Sequence, residues 1–327
     1  MMFSSWMWAL VTRARRIFYP YLWRYRCRIP VVCIGNIHSG GSGKTPLVAA
    51  VIEHFLDRHP IVVSRGYRGR RSRTGAKISL SEENGPAEYG DEPWMLAKRL
   101  AVPVYVGKRR AEVLRVVEAL EDSHLVVMDD GFQHLAVHRD IDIVTISADK
   151  KISDRNCLPL GELREPLSSM GRADGVCVVG GENERAEVEA WEALVKREFP
   201  GIPVFRLIRR LDSFEGDTSE CLINQDSRGL AFCGIGSPGT FESILSPYQN
   251  IKLEKTFRDH HTYSESDIEN LVSCGEKLGA KFFVTTEKDW IKVADVFKLK
   301  GLRLAYVRMK YEIPNDFWYF LQNRLES

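Results

Sequence analysis

The sequence predicts an α/β protein built on a parallel β-sheet with helices on both faces. From residue 29 onwards short apolar segments alternate with helical stretches, and the apolar segments are nearly continuous, as in strands that are buried on both sides. A glycine-rich segment follows the first of these strands and precedes a helix, which is typical of the P-loop of nucleotide-binding proteins. The 327 residues also allow a second domain.

The predicted elements fall into two sets, separated near residue 200. The first set has strands at 31–34, 61–64, 102–106, 125–128, 141–146 and 175–179, and helices at 45–58, 96–100, 111–120 and 182–199. The second set has strands at 204–208, 230–235, 281–285 and 303–308, and helices at 239–246, 264–278 and 315–325. We therefore expect a P-loop core at 29–200 and a smaller C-terminal α/β domain at 201–327.

The N-terminal segment 1–28 combines many aromatic residues with many arginines. This composition is typical of an amphipathic helix at a membrane surface, although a helix that only packs on the core is an alternative. Its apolar run, 1–11, is far shorter than the roughly 20 residues that span a bilayer. The basic residues follow this run, whereas in a secretory signal they precede it. We expect a cytoplasmic protein that does not cross the membrane.

Neither the net charge nor the spacing of the cysteines points to a nucleic-acid-binding protein or a zinc protein. The net charge is +2, so any preference for an anionic partner must come from local clusters. Seven cysteines are scattered without a CxxC pair, which favours a reducing compartment and no zinc site.

The predicted P-loop supplies most of the candidate nucleotide contacts. Lys44 is expected to reach the β- and γ-phosphates, and the Thr45 hydroxyl to bind Mg²⁺. Backbone amides of 39–45, at the start of a helix, are expected to surround a phosphate. The strict motif has glycine where this chain has His38, so the loop is a variant, and a plain glycine-rich turn is the alternative. The predicted nucleotide-binding residues are His38, Ser39, Gly40, Gly41, Ser42, Gly43, Lys44 and Thr45.

A second motif ends the strand at 125–128 with Asp129 and Asp130. An apolar strand that ends in acidic residues is the Walker-B arrangement, which holds the Mg²⁺ of the nucleotide. The alternative is an Asp-Asp-Gly turn that only ends the strand.

Two further motifs carry groups suited to proton transfer. Asp91, in GDEP, lies where a carboxylate could serve an acceptor hydroxyl, or could only cap a helix. In FRDHHTY, Asp259 precedes His260 and His261, a combination suited to a proton relay; capping of the helix at 264–278 is equally compatible.

Two arginine-containing motifs are candidates for anion binding. The loop 64–73 has five arginines and suits an anionic substrate, lipid headgroups or RNA, or is simply solvated. RNA is disfavoured because no aromatic stacking platform accompanies the arginines. In LREP, Arg164 could neutralise a transferring phosphate and Glu165 could join a metal site, or the two could be an ordinary surface pair.

Taken together, eight motifs in a fixed order resemble the tetraacyldisaccharide 4′-kinase family, the lipid A 4′-kinases of Gram-negative bacteria. The resemblance covers about residues 30–290. The motifs are GNIHSGGSGKTP, SRGYRGR, GDEP, DDGFQH, LREP, FCGIGSP, FRDHHTY and TTEKD.

The resemblance implies transfer of the γ-phosphate of ATP to the 4′-hydroxyl of a tetraacylated glucosamine disaccharide 1-phosphate. It implies a peripheral enzyme on the cytoplasmic face of the inner membrane, without nucleic acid or an obligate protein partner, whose two domains are joined by a flexible linker. The implied roles are acceptor base for Asp91 with His260 as its partner, phosphate contact for Lys44 and Arg164, Mg²⁺ binding for Thr45, Asp129, Asp130 and Glu165, and headgroup contact for Arg65, Tyr67 and His134.

Three other functions are compatible with parts of the sequence. A regulatory GTPase should carry an Asn-Lys-x-Asp motif, which residues 286–289 do not match. A membrane adaptor that binds nucleotide without catalysis would retain nucleotide binding but lack transfer activity. An RNA-binding protein that uses the arginine loop would show steeply salt-dependent affinity for RNA.

Overall fold

The computed structural model describes residues 24–41, 43–217 and 227–326. Ser42 and most of the predicted membrane-surface segment 1–28 therefore lie outside the described residues. The chain divides into two compact units: 1–209 together with 311–327, and 210–310.

The strands alternate with helices along most of the chain. In chain order the strands are β1 (Val31–Asn36), β2 (Ile61–Ser64), β3 (Ala76–Lys77), β4 (Val104–Val106), β5 (Val126–Asp129), β6 (Ile141–Ser147), β7 (Gly175–Gly180), β8 (Val204–Gly216), β9 (Gly229–Cys233), β10 (Ile251–Thr256), β11 (Phe282–Thr286) and β12 (Leu304–Glu312). The described helices are α1 (Lys44–His54), α2 (Gly85–Tyr89), α3 (Asp91–Arg99), α4 (Arg110–Leu120), α5 (Arg185–Glu198), α6 (Pro238–Leu245), α7 (Glu265–Leu278), α8 (Glu287–Leu299) and α9 (Asn315–Glu326).

The first unit is built on a sheet in the order β8-β7-β6-β1-β5-β2-β4-β3. Its strands pair in parallel, except that β3 is antiparallel to β4. Successive residues of β1 face opposite sides: Val32 and Ile34 pack with α1, whereas Val31 and Cys33 pack with α4. Because both faces are covered, β1 is buried throughout. The predicted α/β class with a mainly parallel sheet is confirmed.

The second unit repeats this design on a smaller scale. Its strands follow the order β10-β9-β11-β12, paired in parallel. Leu230 and Phe232 of β9 pack with α7 and α8, whereas Ala231 and Cys233 pack with α6. The three motifs of this unit, FCGIGSP, FRDHHTY and TTEKD, lie where β9, β10 and β11 end.

The division between the units differs from the predicted domains. We expected 201–327 to form one C-terminal domain, but the last helix belongs to the first unit. Phe317 and Leu321 of α9 are fully buried and pack with Phe205 and Leu207 of β8. Although α9 follows the second unit in the sequence, burial of its apolar face stabilises its packing on the first unit. None of the described helices has the length and apolar character to cross a bilayer.

Candidate active site

The candidate site lies where β1 and β5 end. These strands are neighbours and parallel, so the loops that leave their carboxyl ends start from the same edge of the sheet. The glycine-rich loop follows β1, and Asp129 is the last residue of β5. The two segments pack closely, since a Cβ atom on Gly35 would lie 2.5 Å from the Phe132 Cβ atom. Glycine at this position therefore allows the two motifs to meet.

The first half of the glycine-rich loop is braced by the segment that carries LREP. His38 forms a bridge with Leu163. The Ser39 amide donates to the Glu162 carbonyl oxygen at 2.7 Å, and the Arg164 amide donates to the Ile37 carbonyl oxygen at 2.7 Å. The Ser39 amide is thus engaged within the chain, which leaves the later amides of the loop as the candidates for a ligand.

The second half of the loop leads directly into α1. Gly40 and Gly43 have φ angles of 85° and 72°, a region that glycine adopts without the cost other residues incur. Gly43 precedes Lys44 and Thr45, the first two residues of α1. The amides of a first helical turn have no acceptor within the helix, and the helix dipole adds partial positive charge there. This end of α1 is therefore suited to an anion.

Tyr311 holds the loop at Gly43. Its hydroxyl donates to the Gly43 carbonyl oxygen at 2.9 Å, and a Cβ atom on Gly43 would lie 2.2 Å from the Tyr311 oxygen. The pair is separated by 268 residues in the sequence, and no local pattern predicts it.

Replacement of Gly43 by alanine should disturb the loop strongly. The left-handed backbone and the overlap with Tyr311 together should lower the free energy of unfolding by about 2 kcal/mol or more, and nucleotide affinity should fall as well. Gly41→Ala is the matched control, because Gly41 has nothing within 4 Å of a built Cβ atom; its effect on stability should stay within about 0.5 kcal/mol. Urea unfolding and ATP titration of both variants test this, and equal stabilities would contradict it.

Asp130 is the centre of a charged cluster at the mouth of the loop. Lys44 Nζ lies 3.3 Å from one carboxylate oxygen, and Arg164 Nη1 donates to both oxygens at 2.9 and 3.0 Å. Arg110 donates to the Asp130 carbonyl oxygen at 3.0 Å. Burial alone would raise the pKa of Asp130, but the charges of Lys44, Arg164 and Arg110 hold it well below its ordinary value. Asp130 therefore carries a negative charge between two cations.

Asp129 is a fully buried carboxylate with an incomplete set of partners. The Ser64 hydroxyl donates to one oxygen at 3.2 Å, whereas the other oxygen has no hydrogen-bond donor among the described residues. Burial, and then the charges of Glu92 and Asp130, raise the pKa of Asp129 to about 7. A buried carboxylate oxygen without a donor is a position that a cation would complete.

The residues around Asp129 and Asp130 fit Mg²⁺ better than a metal held by protein alone. Within the described ranges no three His, Cys, Asp or Glu side chains are gathered as a metal cluster. Mg²⁺ is usually held by one or two carboxylates together with water and substrate phosphates. Two adjacent carboxylates beside a phosphate-binding loop meet that requirement.

The GDEP motif lies close to the arginine loop and to Asp129. Asp91 is the first residue of α3, where a carboxylate interacts favourably with the helix dipole. The preceding Gly90 has a φ of 94°, and a Cβ atom there would lie 2.6 Å from the Tyr67 carbonyl oxygen. The arginine loop also connects this helix start with Asp129. A Cβ atom on Gly66 would lie 2.9 Å from the Tyr89 carbonyl oxygen, and Ser64, two residues before Gly66, donates to Asp129.

The arginine loop is only partly open to solvent. Arg70 pairs with Glu88, and Arg71 pairs with Glu82 and Glu88. Arg65 is exposed, and the Tyr67 side chain is 54% exposed. Because Arg70 and Arg71 are already paired with glutamates, they are less suited to bind a substrate than Arg65.

Two predicted site residues, Glu165 and His38, have surroundings that favour other roles. Glu165 is buried, and both of its oxygens accept from Arg172, at 2.8 and 3.0 Å, so a metal would have to compete with this ion pair. The His38 ring is buried edge-on to Trp191; burial, then the charge of Lys150, lowers the pKa of His38 to about 4. His134 is half-buried, and its carbonyl oxygen accepts from Arg139.

In the second unit, the predicted relay residue His260 follows β10 and has a φ of 59°, unusual for a residue other than glycine. Its Nε2 atom lies 3.2 Å from Lys288 Nζ. His261 points elsewhere: its Nε2 lies 3.1 Å from Asp267, and its ring stacks on Phe257. The two histidines thus have different partners, and the role of His260 as a partner of Asp91 stays a prediction.

The comparisons with known proteins agree on one family. The family model described as tetraacyldisaccharide-1-P 4′-kinase (LpxK) matches residues 1–326. The protein called tetraacyldisaccharide 4′-kinase in Desulfotalea psychrophila is 34% identical over 302 residues, which cover 88% of this chain and 85% of that protein. The protein of the same description in Nitrobacter winogradskyi is 37% identical over 268 residues, covering 81% of this chain and 75% of that one.

A solved structure extends the similarity to three dimensions. It is the "apo" form of LpxK from Aquifex aeolicus, crystallised in complex with ATP. Its TM-score is 0.78 at 27% sequence identity, and the match covers 99% of this chain and 98% of that one.

Proposed function

This chain belongs to the tetraacyldisaccharide-1-P 4′-kinase family, and from that premise we infer that it transfers the γ-phosphate of ATP to the 4′-hydroxyl of a tetraacylated glucosamine disaccharide 1-phosphate. One observation carries the assignment of the site: Lys44 and Arg164 converge on Asp130 beside the glycine-rich loop. We propose that this loop and α1 are the P-loop of the enzyme.

The cations of the cluster are already placed for a polyphosphate. The Lys44 side chain is only 8% exposed, so its ammonium group is held in one position before nucleotide arrives. When ATP binds, its phosphates would take over the role of Asp130 as the partner of Lys44 and Arg164. Because phosphoryl transfer depends mainly on positioning and on neutralising the charge of the transferred group, such a fixed pair of cations accelerates it.

Asp129, Asp130 and the Thr45 hydroxyl are the residues that would hold Mg²⁺. When bound, this ion neutralises charge on the phosphate oxygens. The donor-free oxygen of Asp129 supports this assignment. Glu165 remains a weaker candidate because its carboxylate is paired with Arg172.

The acceptor hydroxyl requires a base, and we propose Asp91 for it. A sugar hydroxyl is a weak nucleophile at neutral pH, so proton removal has to accompany bond formation. Asp91 begins α3, and the preceding Gly90 packs against the Tyr67 carbonyl group of the loop whose first residue, Ser64, donates to Asp129. This supports a position of Asp91 close to where the γ-phosphate would lie. We propose His260 as its partner, and Arg65, Tyr67 and His134 as contacts of the sugar headgroup.

Transfer of radioactive phosphate tests this function. The chain is incubated with γ-³²P-ATP, Mg²⁺ and a tetraacyldisaccharide 1-phosphate, and with the same acceptor lacking its 4′-oxygen. We expect labelled lipid only from the first acceptor, with the label released by chemical cleavage at the 4′-position. Label on both acceptors would point to another acceptor group, and label on neither would contradict the assignment.

We further propose that the enzyme works at the cytoplasmic face of the inner membrane as a peripheral protein. The support is the aromatic and basic composition of residues 1–28 and an acylated substrate. Each basic residue near an anionic surface contributes about 1 kcal/mol to binding. Replacement of Arg13, Arg15 and Arg16 by glutamine should therefore weaken binding to anionic vesicles roughly 100-fold.

Vesicle flotation at low and high salt measures this effect. The matched control replaces Arg155, Arg197 and Arg228, which are exposed elsewhere in the chain, by glutamine. If the control weakens vesicle binding as much as the N-terminal variant does, the surface attraction is not specific to residues 1–28.

A further inference from the structure

The three motifs of the second unit form one cluster around His260 and His261. A Cβ atom on Gly234, in FCGIGSP, would lie 3.0 Å from Asp289 Oδ1 and 3.3 Å from the His261 Cβ atom. The Gly234 amide donates to Asp289 Oδ2 at 2.8 Å. FCGIGSP, FRDHHTY and TTEKD therefore meet at the carboxyl ends of β9, β10 and β11. The proposed function so far assigns a role to His260 alone.

We propose that Lys288, in TTEKD, is a positioning residue that holds the His260 ring as the neutral tautomer with its proton on Nδ1. The inference rests on the proposed role of His260 as the partner of Asp91. It adds that Nδ1 of the His260 ring can donate a hydrogen bond and that Nε2 cannot accept a proton.

The side chains of Lys288 and His260 are in direct contact. Lys288 Nζ lies 3.2 Å from His260 Nε2, which is hydrogen-bond distance for two nitrogen atoms. An ammonium group has three N–H donors and no lone pair. The lone pair in this contact must therefore belong to Nε2, and in a neutral ring the proton is then on Nδ1.

Asp259 fixes the ammonium group in this position. Asp259 Oδ1 lies 3.1 Å from Lys288 Nζ, whereas its other oxygen is 3.9 Å from His260 Nε2, too far for a hydrogen bond. Burial would raise the pKa of Asp259, but the charge of Lys288 and its hydrogen bond hold this pKa below its ordinary value. The carboxylate therefore anchors Lys288 rather than accepting a proton from the ring.

The backbone that carries Lys288 is also fixed. Thr286 caps α8: its hydroxyl accepts from the Asp289 amide at 3.1 Å and donates to the Asp289 carboxylate at 2.7 Å. Asp289 is fully buried and also holds the Gly234 amide. The side chains of Lys288 and His260 are only 15% and 18% exposed. Thr286 and Asp289 belong to TTEKD, and Gly234 belongs to FCGIGSP. The contacts among these residues therefore fix the backbone that carries Lys288.

His261 provides a contrast in the same segment. Its Nε2 lies 3.1 Å from Asp267, and an ionised carboxylate can only accept. His261 therefore carries its proton on Nε2. The two adjacent histidines are held in opposite tautomers by partners of opposite charge.

The contact with Lys288 limits the proton transfers that the His260 ring can make. With Nε2 occupied by the ammonium group, His260 can donate a hydrogen bond from Nδ1 but cannot take up the proton of the acceptor hydroxyl. A histidine of this kind can orient and stabilise a carboxylate. The proton would thus go to Asp91, and His260 would act through it.

Nitrogen-15 NMR of the full chain with labelled histidine tests the tautomers, because protonated and unprotonated ring nitrogens differ widely in chemical shift. His260→Gln and His261→Gln identify the two signals among the eight histidines. We expect the Nδ1–H form for His260 and the Nε2–H form for His261. In Lys288→Met the His260 ring should shift towards the Nε2–H form while His261 is unchanged, and Lys288→Arg, which keeps a donor, should preserve the original form.

Lys298→Met is the matched control, because Lys298 belongs to the last turn of the same helix, α8, and is exposed. An Nε2–H form of His260 in the wild type, or an unchanged His260 in Lys288→Met, would overturn the proposal. If Lys288→Met does not fold, an Nε2–H form of His260 in the wild type still overturns the proposal.

Kinetics separate this proposal from the proposed function. Lys288→Met should lower kcat about 10- to 100-fold at unchanged KM for ATP. This is less than the roughly 10²- to 10⁴-fold that a group transferring the proton itself contributes, because Lys288 acts through His260. Lys288→Arg should recover most of the loss. A tautomer change in Lys288→Met without any loss of kcat would support the role of Lys288 and count against the role of His260 in catalysis.

Discussion

Replacement of Lys44 by methionine is expected to lower kcat/KM for ATP about 1,000-fold, the upper part of the range measured for loss of one electrostatic contact in a transition state. Methionine keeps the length and much of the apolar stem of lysine, so the change removes the charge and little packing. The ammonium group, 3.3 Å from Asp130, is the cation nearest to the end of the glycine-rich loop that begins α1.

Steady-state phosphorylation kinetics of the wild type and Lys44→Met measure this effect. Lys196→Met is the matched control, because Lys196 belongs to the same unit, is exposed, and pairs only with Glu192 on its own helix; a surface pair of this kind contributes at most about 1 kcal/mol to stability. Circular dichroism should show that both variants fold. More than a tenth of the wild-type kcat/KM in Lys44→Met would contradict the role assigned to this lysine.

Asp91→Asn is expected to lower kcat by about 10²- to 10⁴-fold, the contribution of a general base. Asparagine retains the size of aspartate, and the N-cap of α3 is Gly90 rather than Asp91, so stability should change little. Nucleotide affinity should also stay near the wild-type value, because the proposed phosphate contacts come from the glycine-rich loop, Lys44 and Arg164.

The control for Asp91 is Asp57→Asn, which removes one exposed carboxylate at the start of another helical turn of the same unit. Calorimetric titration with ATP and measurement of kcat separate binding from transfer. If Asp91→Asn loses nucleotide binding and transfer together, the carboxylate acts on the nucleotide and not on the acceptor. A kcat near that of the wild type would exclude Asp91 as the base.

The main strands could be predicted because burial on both faces leaves a nearly continuous apolar signal. β2 has the predicted bounds, and β1, β5 and β6 differ from prediction by two residues or fewer at either end. β10 was missed, since its lysines and glutamate interrupt the apolar pattern and most of its residues are not buried. β3 and α2 are short, and α2 begins with Gly-Pro. The predicted helix at 45–58 ends at His54, where Phe55 leaves the helical conformation.

The candidate site could be predicted only where neighbouring parallel strands end at the same edge of the sheet and bring two motifs together. Adjacent parallel strands place the loop after β1 beside Asp129 and Asp130, and this follows from local patterns. Other contacts depend on the tertiary fold. Tyr311, near the other end of the chain, donates to the Gly43 carbonyl oxygen. Arg172, which belongs to no motif, donates to both carboxylate oxygens of Glu165. Arg110 was also missed, although it is buried against Asp130.

The central claim is that the start of α1 and the preceding glycines bind the polyphosphate of ATP. A crystal structure of the chain with Mg²⁺ and a non-hydrolysable ATP analogue tests it most directly. We predict β-phosphate oxygens within hydrogen-bond distance of the backbone nitrogens of Gly43, Lys44 and Thr45, with Lys44 Nζ transferred from Asp130 to the phosphates. A triphosphate bound away from this helix, with the contact between Lys44 and Asp130 unchanged, would contradict the account.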